Sequence, residues 1–170
     1  YNNIPELTDN TKGVILSGSP FSVRQKDAPN PDLSSIRKKY PLLAVCYGSQ
    51  FLAHTNGGEV SPSEIREYGR ANLSKVSQHS PLTKGMTVGS QVWMSHGDTI
   101  KQVPKEFQII ASTKDVAYAG YEIEGEQTYG IQFHPEVVHT ENGNEILKNF
   151  VLKVCHANQD WTLERFVENS

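Results

Sequence analysis

Cysteine is scarce here: Cys46 and Cys155 are the only two in 170 residues, and no paired spacing relates them. That count argues against a disulfide framework and against a cysteine-rich zinc site. Long apolar runs are missing as well. No stretch approaches the roughly 18 residues that a membrane helix needs, and no charged-then-apolar secretory leader is present. Nor is there an excess of positive charge. Sixteen Lys and Arg face 19 Asp and Glu, a net charge of −3, and the basic residues are scattered, which removes nucleic acid and membranes from the expected partners. Internal repeats, low-complexity tracts and internal linkers are likewise absent. What these absences leave is a soluble protein of a reducing compartment, expected in the cytoplasm, acting on a small molecule or another protein. With 36% hydrophobic and 21% charged residues, the chain can bury one full core, so one domain over residues 1–170 is expected.

The pattern that is present alternates. "KGVILSGSP" (12–20) is a short apolar run breaking into a turn, and "PDLSSIRKKY" (31–40) predicts a short helix with Leu33, Ile36 and Tyr40 near one face. "PLLAV" (41–45) is a second buried strand, followed by a helix over "YGSQFLAHTNGG" that closes on Gly57 and Gly58. Strand, helix, strand, helix at this spacing implies a parallel α/β sheet. Residues 68–133 then carry short β-prone pieces, "RANLSKV", "QVWMSH", "FQIIAST", "VAYAGYEI" and "TYGIQF", which predict a mixed or antiparallel extension. Helical spacing returns in "GNEILKNFVLKVC", and Thr162 supplies a further helix-start signal.

Cys46 ends the "PLLAV" strand and begins the next helix, at the carboxyl edge of a parallel sheet where α/β proteins place ligands. Unpaired N–H groups and the helix dipole should stabilise a thiolate there and lower the thiol pKa. Ala44-Val45-Cys46-Tyr47-Gly48 is a cysteine version of the strand-to-helix nucleophile elbow, with alanine at its first small position. A buried structural cysteine is the bland alternative. A base is available in "YGIQFHPEVVHT", where a β-run delivers His134 and Glu136 follows at i+2, on the same side of an extended backbone. Pro135 restrains the pair. The turn "SGSP" after the first strand falls at the same sheet edge, so the N–H groups of Ser19 and Tyr47 are candidate oxyanion donors.

"SGSP", then "AVCYGSQFLAHTNGGEV", then "FHPEV" together resemble the class I glutamine amidotransferases, Cys-His-Glu enzymes that hydrolyse glutamine and pass ammonia to a synthase. "REYG" (66–69), "VWMSHGD" (92–98), "HPEVVHT" (134–140) and Trp161-Thr162 narrow the likeness to the amidotransferase domain of GMP synthases. The resemblance implies a flavodoxin-like fold, a mixed and largely parallel sheet flanked by helices with a small antiparallel extension. It implies Cys46 as nucleophile, His134 as base, Glu136 as its orienter, and Gln50, Ser95, Gly97 and Asp98 as contacts for L-glutamine. His96 is open between binding and packing; His54, His79 and His156 read as ordinary residues and Cys155 as core.

Further implications concern what surrounds the domain. The resemblance implies no metal and no cofactor for the glutaminase half-reaction, with ATP and Mg2+ serving an ATP pyrophosphatase domain or subunit that aminates xanthosine monophosphate to GMP. That domain is not in these 170 residues, nor are the family's opening strand and its Asp-x-Gly-x-Gln turn, so the stretch is read as starting after that strand. Ser19 stands where the family commonly has glycine, a strained position if its φ is positive. Two other readings stay open: a Cys-His-Glu hydrolase of another γ-glutamyl or peptide bond, and a non-catalytic binding module.

Overall fold

A computed structural model of the chain describes residues 4–159, with the backbone alone for 64–67. The expected helix start at Thr162, the Trp161-Thr162 pair and the Arg66 and Glu67 side chains of "REYG" lie outside the described residues. Among the described residues seven strands form one sheet: β1 (Val14–Leu16), β2 (Leu42–Val45), β3 (Glu59–Val76), β4 (Gln91–Gln102), β5 (Phe107–Thr113), β6 (Gly120–Ile123) and β7 (Thr128–Ile131). Their order across the sheet is β1-β2-β7-β6-β5-β3-β4. Helix α1 (Tyr47–Thr55) follows β2, and α2 (Gly143–Lys148) continues into a π-helical segment, Asn149–Val154.

The mixed α/β class expected from the sequence is what forms, but its proportions differ. Among the described residues only β1-β2 and β2-β7 pair in parallel, while β7-β6, β6-β5, β5-β3 and β3-β4 are antiparallel. The antiparallel part is therefore the larger one, not a small extension to a largely parallel sheet. The long strand β3 accounts for this: it joins residues before and after "REYG" into one 18-residue element that pairs with both β4 and β5.

β2 shows why the sheet has two covered faces. All four of its residues are buried, and alternate side chains go to opposite sides. Leu42 and Ala44 join α1's Tyr47, Phe51 and Leu52 in one cluster; Leu43 and Val45 join Ile146, Phe150 and Val154 in the other. Cys155 belongs to the second cluster, as expected of a core residue. Gly130 in β7 is there because Tyr121 crosses it: a Cβ would lie 2.3 Å from Tyr121 Cζ. The tyrosine hydroxyl then donates to Ser49 O at 2.7 Å, tying the sheet to α1.

The helix expected over 31–40 does not form. Two overlapping turns replace it, closed by Arg37 N–H to Leu33 O (2.9 Å) and Tyr40 N–H to Ile36 O (2.9 Å). Lys38, inside the second, has φ 63°, a left-handed conformation that stops an α-helix from propagating. The expected apolar face nonetheless survives, with Leu33 and Ile36 buried and Tyr40 packed beside them. β1, the expected first strand, is the edge of the sheet among the described residues, and its Ile15 is exposed. Among the described residues no helix is long and apolar enough to cross a membrane.

Candidate active site

The carboxyl ends of β1, β2 and β7 lie side by side because those three strands are parallel neighbours. Each releases a different part of the sequence at the same edge. β2 delivers Cys46, whose N–H donates to Ile131 O at 2.8 Å and whose φ of 52° and ψ of −109° make the sharp turn into α1. Such a backbone at a non-glycine residue is strained, and it lifts the side chain off the sheet edge. Gly48 is required for it, since a Cβ there would sit 2.8 Å from Leu16 O. Ala44, at the first small position of the elbow, is fully buried and pairs with Gly130 of β7.

β7 delivers His134 shortly beyond its end. The His134 Nδ1 to Glu136 Oε1 distance is 2.7 Å. A carboxylate accepts only, so Nδ1 carries the proton of this bond. Nε2 is buried and no described group hydrogen-bonds to it. β1 delivers the turn at residues 17–20. A Cβ on Gly18 would stand 3.5 Å from His134 Cε1 and 3.7 Å from Cys46 Cβ, so this turn touches both the thiol-bearing residue and the imidazole. Ser19 is not among the residues with positive φ, so serine stands in the glycine position without that strain. Its hydroxyl accepts from Phe21 N–H at 3.3 Å.

The fourth wall is β4. Along it Val92, Met94, His96 and Asp98 are buried while Ser95 and Gly97 are exposed. The Cys46 thiol donates to Ser95 O at 3.7 Å, placing that backbone against the nucleophile candidate. Gln50, 3% exposed, donates through Nε2 to Asp98 O at 2.8 Å and lies 3.4 Å from Gln132 Oε1. It thus holds the segment expected to grip substrate and faces protein rather than open solvent. His96 is buried, and burial lowers its pKa to about 4, so it is neutral at physiological pH.

The thiol departs from expectation. Burial pushes Cys46 up to about 11; a hydrogen bond from Tyr47 N–H pulls it down and the nearby Glu136 charge pushes it up further. Local reasoning from the helix N-terminus predicted a lowered value, but desolvation of the sulfur outweighs that effect. At neutral pH the resting Cys46 is therefore a neutral thiol.

Several contributors were not legible beforehand. Asp98 Oδ1 accepts from Arg24 Nη2 at 3.0 Å, and Oδ2 accepts from the Ser22 hydroxyl. Thr140 Oγ1 donates to His134 O at 2.5 Å and accepts from Trp93 N–H at 3.0 Å, while His134 N–H donates to Trp93 O at 3.0 Å. Among the described residues no three His, Cys, Asp or Glu side chains converge on a metal-sized point.

Three comparisons bear on this arrangement. A family model described as "Glutamine amidotransferase class-I" matches residues 1–154. The chain is 55% identical over all 170 residues to a protein from Bacteroides fragilis named GMP synthase [glutamine-hydrolyzing], of which it covers 34%. A protein of the same name from Cytophaga hutchinsonii is 55% identical over 170 residues, with 33% of its length covered. The chain thus spans about a third of the length of the curated relatives it matches. Among solved structures, a protein from Thermoplasma acidophilum described as a GMP synthase subunit superposes with a TM-score of 0.72 at 26% identity, over 95% of this chain and 78% of that one.

Proposed function

The chain belongs to the class-I glutamine amidotransferase family, and on that premise we propose that it hydrolyses L-glutamine and supplies the ammonia that aminates xanthosine monophosphate in GMP synthesis. The observation that carries this reading is the meeting of Cys46, the His134–Glu136 pair and the Gly18 turn at one sheet edge. In the proposed reaction His134 Nε2 takes the thiol proton while the Cys46 sulfur bonds to the carboxamide carbon. The resulting oxyanion is stabilised by the Ser19 and Tyr47 N–H groups. Collapse breaks the C–N bond, and the imidazolium returns its proton to the leaving nitrogen, which departs as ammonia. Water, deprotonated by His134, then cleaves the thioester to give glutamate and the free thiol. Glu136 keeps the imidazole in the tautomer that both half-reactions need.

Substrate would be held along β4, with the backbone of Ser95 and Gly97 and the Asp98 carboxylate on its α-amino and α-carboxylate end. In this reading Gln50 keeps that segment in register from behind, a role supported by its bond to Asp98 O. No step requires a metal or an organic cofactor. ATP and Mg2+ would act in an ATP pyrophosphatase domain or subunit, which is the partner this reading requires. The test is ammonia release from L-glutamine, with and without that partner plus ATP and xanthosine monophosphate. Cys46→Ala is expected to abolish it without changing the circular dichroism. Full activity in Cys46→Ala would remove the cysteine from the mechanism.

A further inference from the structure

Two segments that reach the candidate site are joined by an ion pair that the triad does not use. One is the segment that leaves the Gly18 turn and carries Ser22 and Arg24; the other is β4 with Asp98. Arg24 Nη2 lies 3.0 Å from Asp98 Oδ1, and the Ser22 hydroxyl binds Oδ2. The two partners differ in freedom. The Asp98 side chain is 9% exposed and its backbone carbonyl is pinned by Gln50, whereas the Arg24 side chain is 44% exposed. Only one guanidinium nitrogen is used on Asp98, so most of the five-donor fork is left for another acceptor.

We propose that Arg24 binds the α-carboxylate of the substrate, so that Arg24 and Asp98 form a clamp for the zwitterionic end of a free α-amino acid. This rests on the glutaminase reading above. Charge makes the case: an ammonium and a carboxylate on one carbon present the same two charges as the resting pair, in complementary order. Entry of the zwitterion exchanges one protein ion pair for two, with ammonium on Asp98 and carboxylate on Arg24, and leaves no charge unpaired in the cleft. Reach agrees. Ser95 O touches the Cys46 sulfur, and three residues of strand from Ser95 to Asp98 span about 10 Å. An extended glutamine places its α-nitrogen about 5 Å from the carboxamide carbon. With about 3 Å at each end for attack and for the ion pair, the total is about 11 Å. A peptide-bound glutamine lacks both charges and would leave Arg24 and Asp98 paired only with each other, so the clamp selects the free amino acid.

The experiment measures protection of Cys46 from iodoacetamide in the whole chain, by mass spectrometry, and needs no turnover. Three ligands are compared: L-glutamine, 4-aminobutanamide (no α-carboxylate) and glutaramate (no α-amino group). Arg24→Ala should raise the half-protecting glutamine concentration about tenfold to a hundredfold, the range for one charge-assisted hydrogen bond, and leave 4-aminobutanamide within about twofold. Asp98→Asn should weaken glutamine and spare glutaramate. Unchanged glutamine protection in Arg24→Ala overturns the clamp and leaves the glutaminase reading intact. Equal losses for glutamine and 4-aminobutanamide also overturn it, since Arg24 would then only shape the loop. Absence of glutamine protection in the unmodified protein overturns both.

Discussion

Gly48→Ala is the substitution in which geometry separates catalysis from stability. Gly48 is the second residue of α1, and an added Cβ would meet Leu16 O at 2.8 Å and Leu16 Cβ at 2.9 Å. Ordinary contact begins at 3.4 Å, so about 0.6 Å must be found from movement of the backbone. Leu16 ends β1, which among the described residues is an edge strand paired only with β2, and it immediately precedes the 17–20 turn. β1 is thus the easier element to displace, and any displacement carries the Ser19 N–H away from the Tyr47 N–H. Overpacking costs typically about 1–3 kcal/mol, and an edge strand with one neighbour should sit near the lower end. At about 2–4 °C per kcal/mol for a chain of this size, the melting temperature should fall by only a few degrees.

The effect on rate should be disproportionate. Removing one oxyanion donor outright costs about 100- to 1,000-fold in kcat, and a shift of about half an ångström should fall short of that, at about 10- to 100-fold. KM should change little, because the β4 wall is untouched. The assay pairs steady-state glutaminase kinetics with thermal melting of the same preparation. A Gly48→Ala protein with kcat within twofold of the parent would refute the assignment of Ser19 to the oxyanion, and a loss confined to KM would refute it equally.

Two further expectations follow from the same site. Because burial holds the Cys46 thiol near 11, its alkylation by iodoacetamide should keep accelerating from pH 7 to pH 10 as the thiolate fraction grows; a plateau below pH 8 would mean a thiolate already formed at rest. Thr140→Val removes the hydroxyl that bridges His134 O and Trp93 N–H, leaving two backbone groups unsatisfied at a cost of about 1–3 kcal/mol. kcat/KM should drop about tenfold and Thr140→Ser should restore it; a Val variant as active as the Ser variant would show that the bridge does not position the imidazole.

How much of this was legible in sequence depends on how far apart the interacting residues lie. β2 and α1 could be read because each announces itself locally, β2 by an unbroken apolar run and α1 by its period and its terminal glycines. His134 and Glu136 could be read for the same reason, being two residues apart on one side of an extended segment. The helix over 31–40 failed although its apolar face was right. Leu33, Ile36 and Tyr40 bury equally well on two successive turns, so hydrophobic spacing alone could not distinguish these from a helix interrupted at Lys38. The thiol pKa failed differently: a helix N-terminus is visible in a ten-residue window, but the burial that raises the thiol is not, and a group seen against the sulfur, Ser95 O on β4, lies 49 residues along the chain. Arg24 and Ser22 reach Asp98 across 74 and 76 residues, through a loop with no period to read. The local sequence therefore specifies which groups can do chemistry, whereas their charge state and the residues that confine the substrate are decided by contacts between distant segments. For that reason a substitution at Arg24, unremarkable in the sequence, should change substrate selectivity, while one at His79, an exposed histidine, should not.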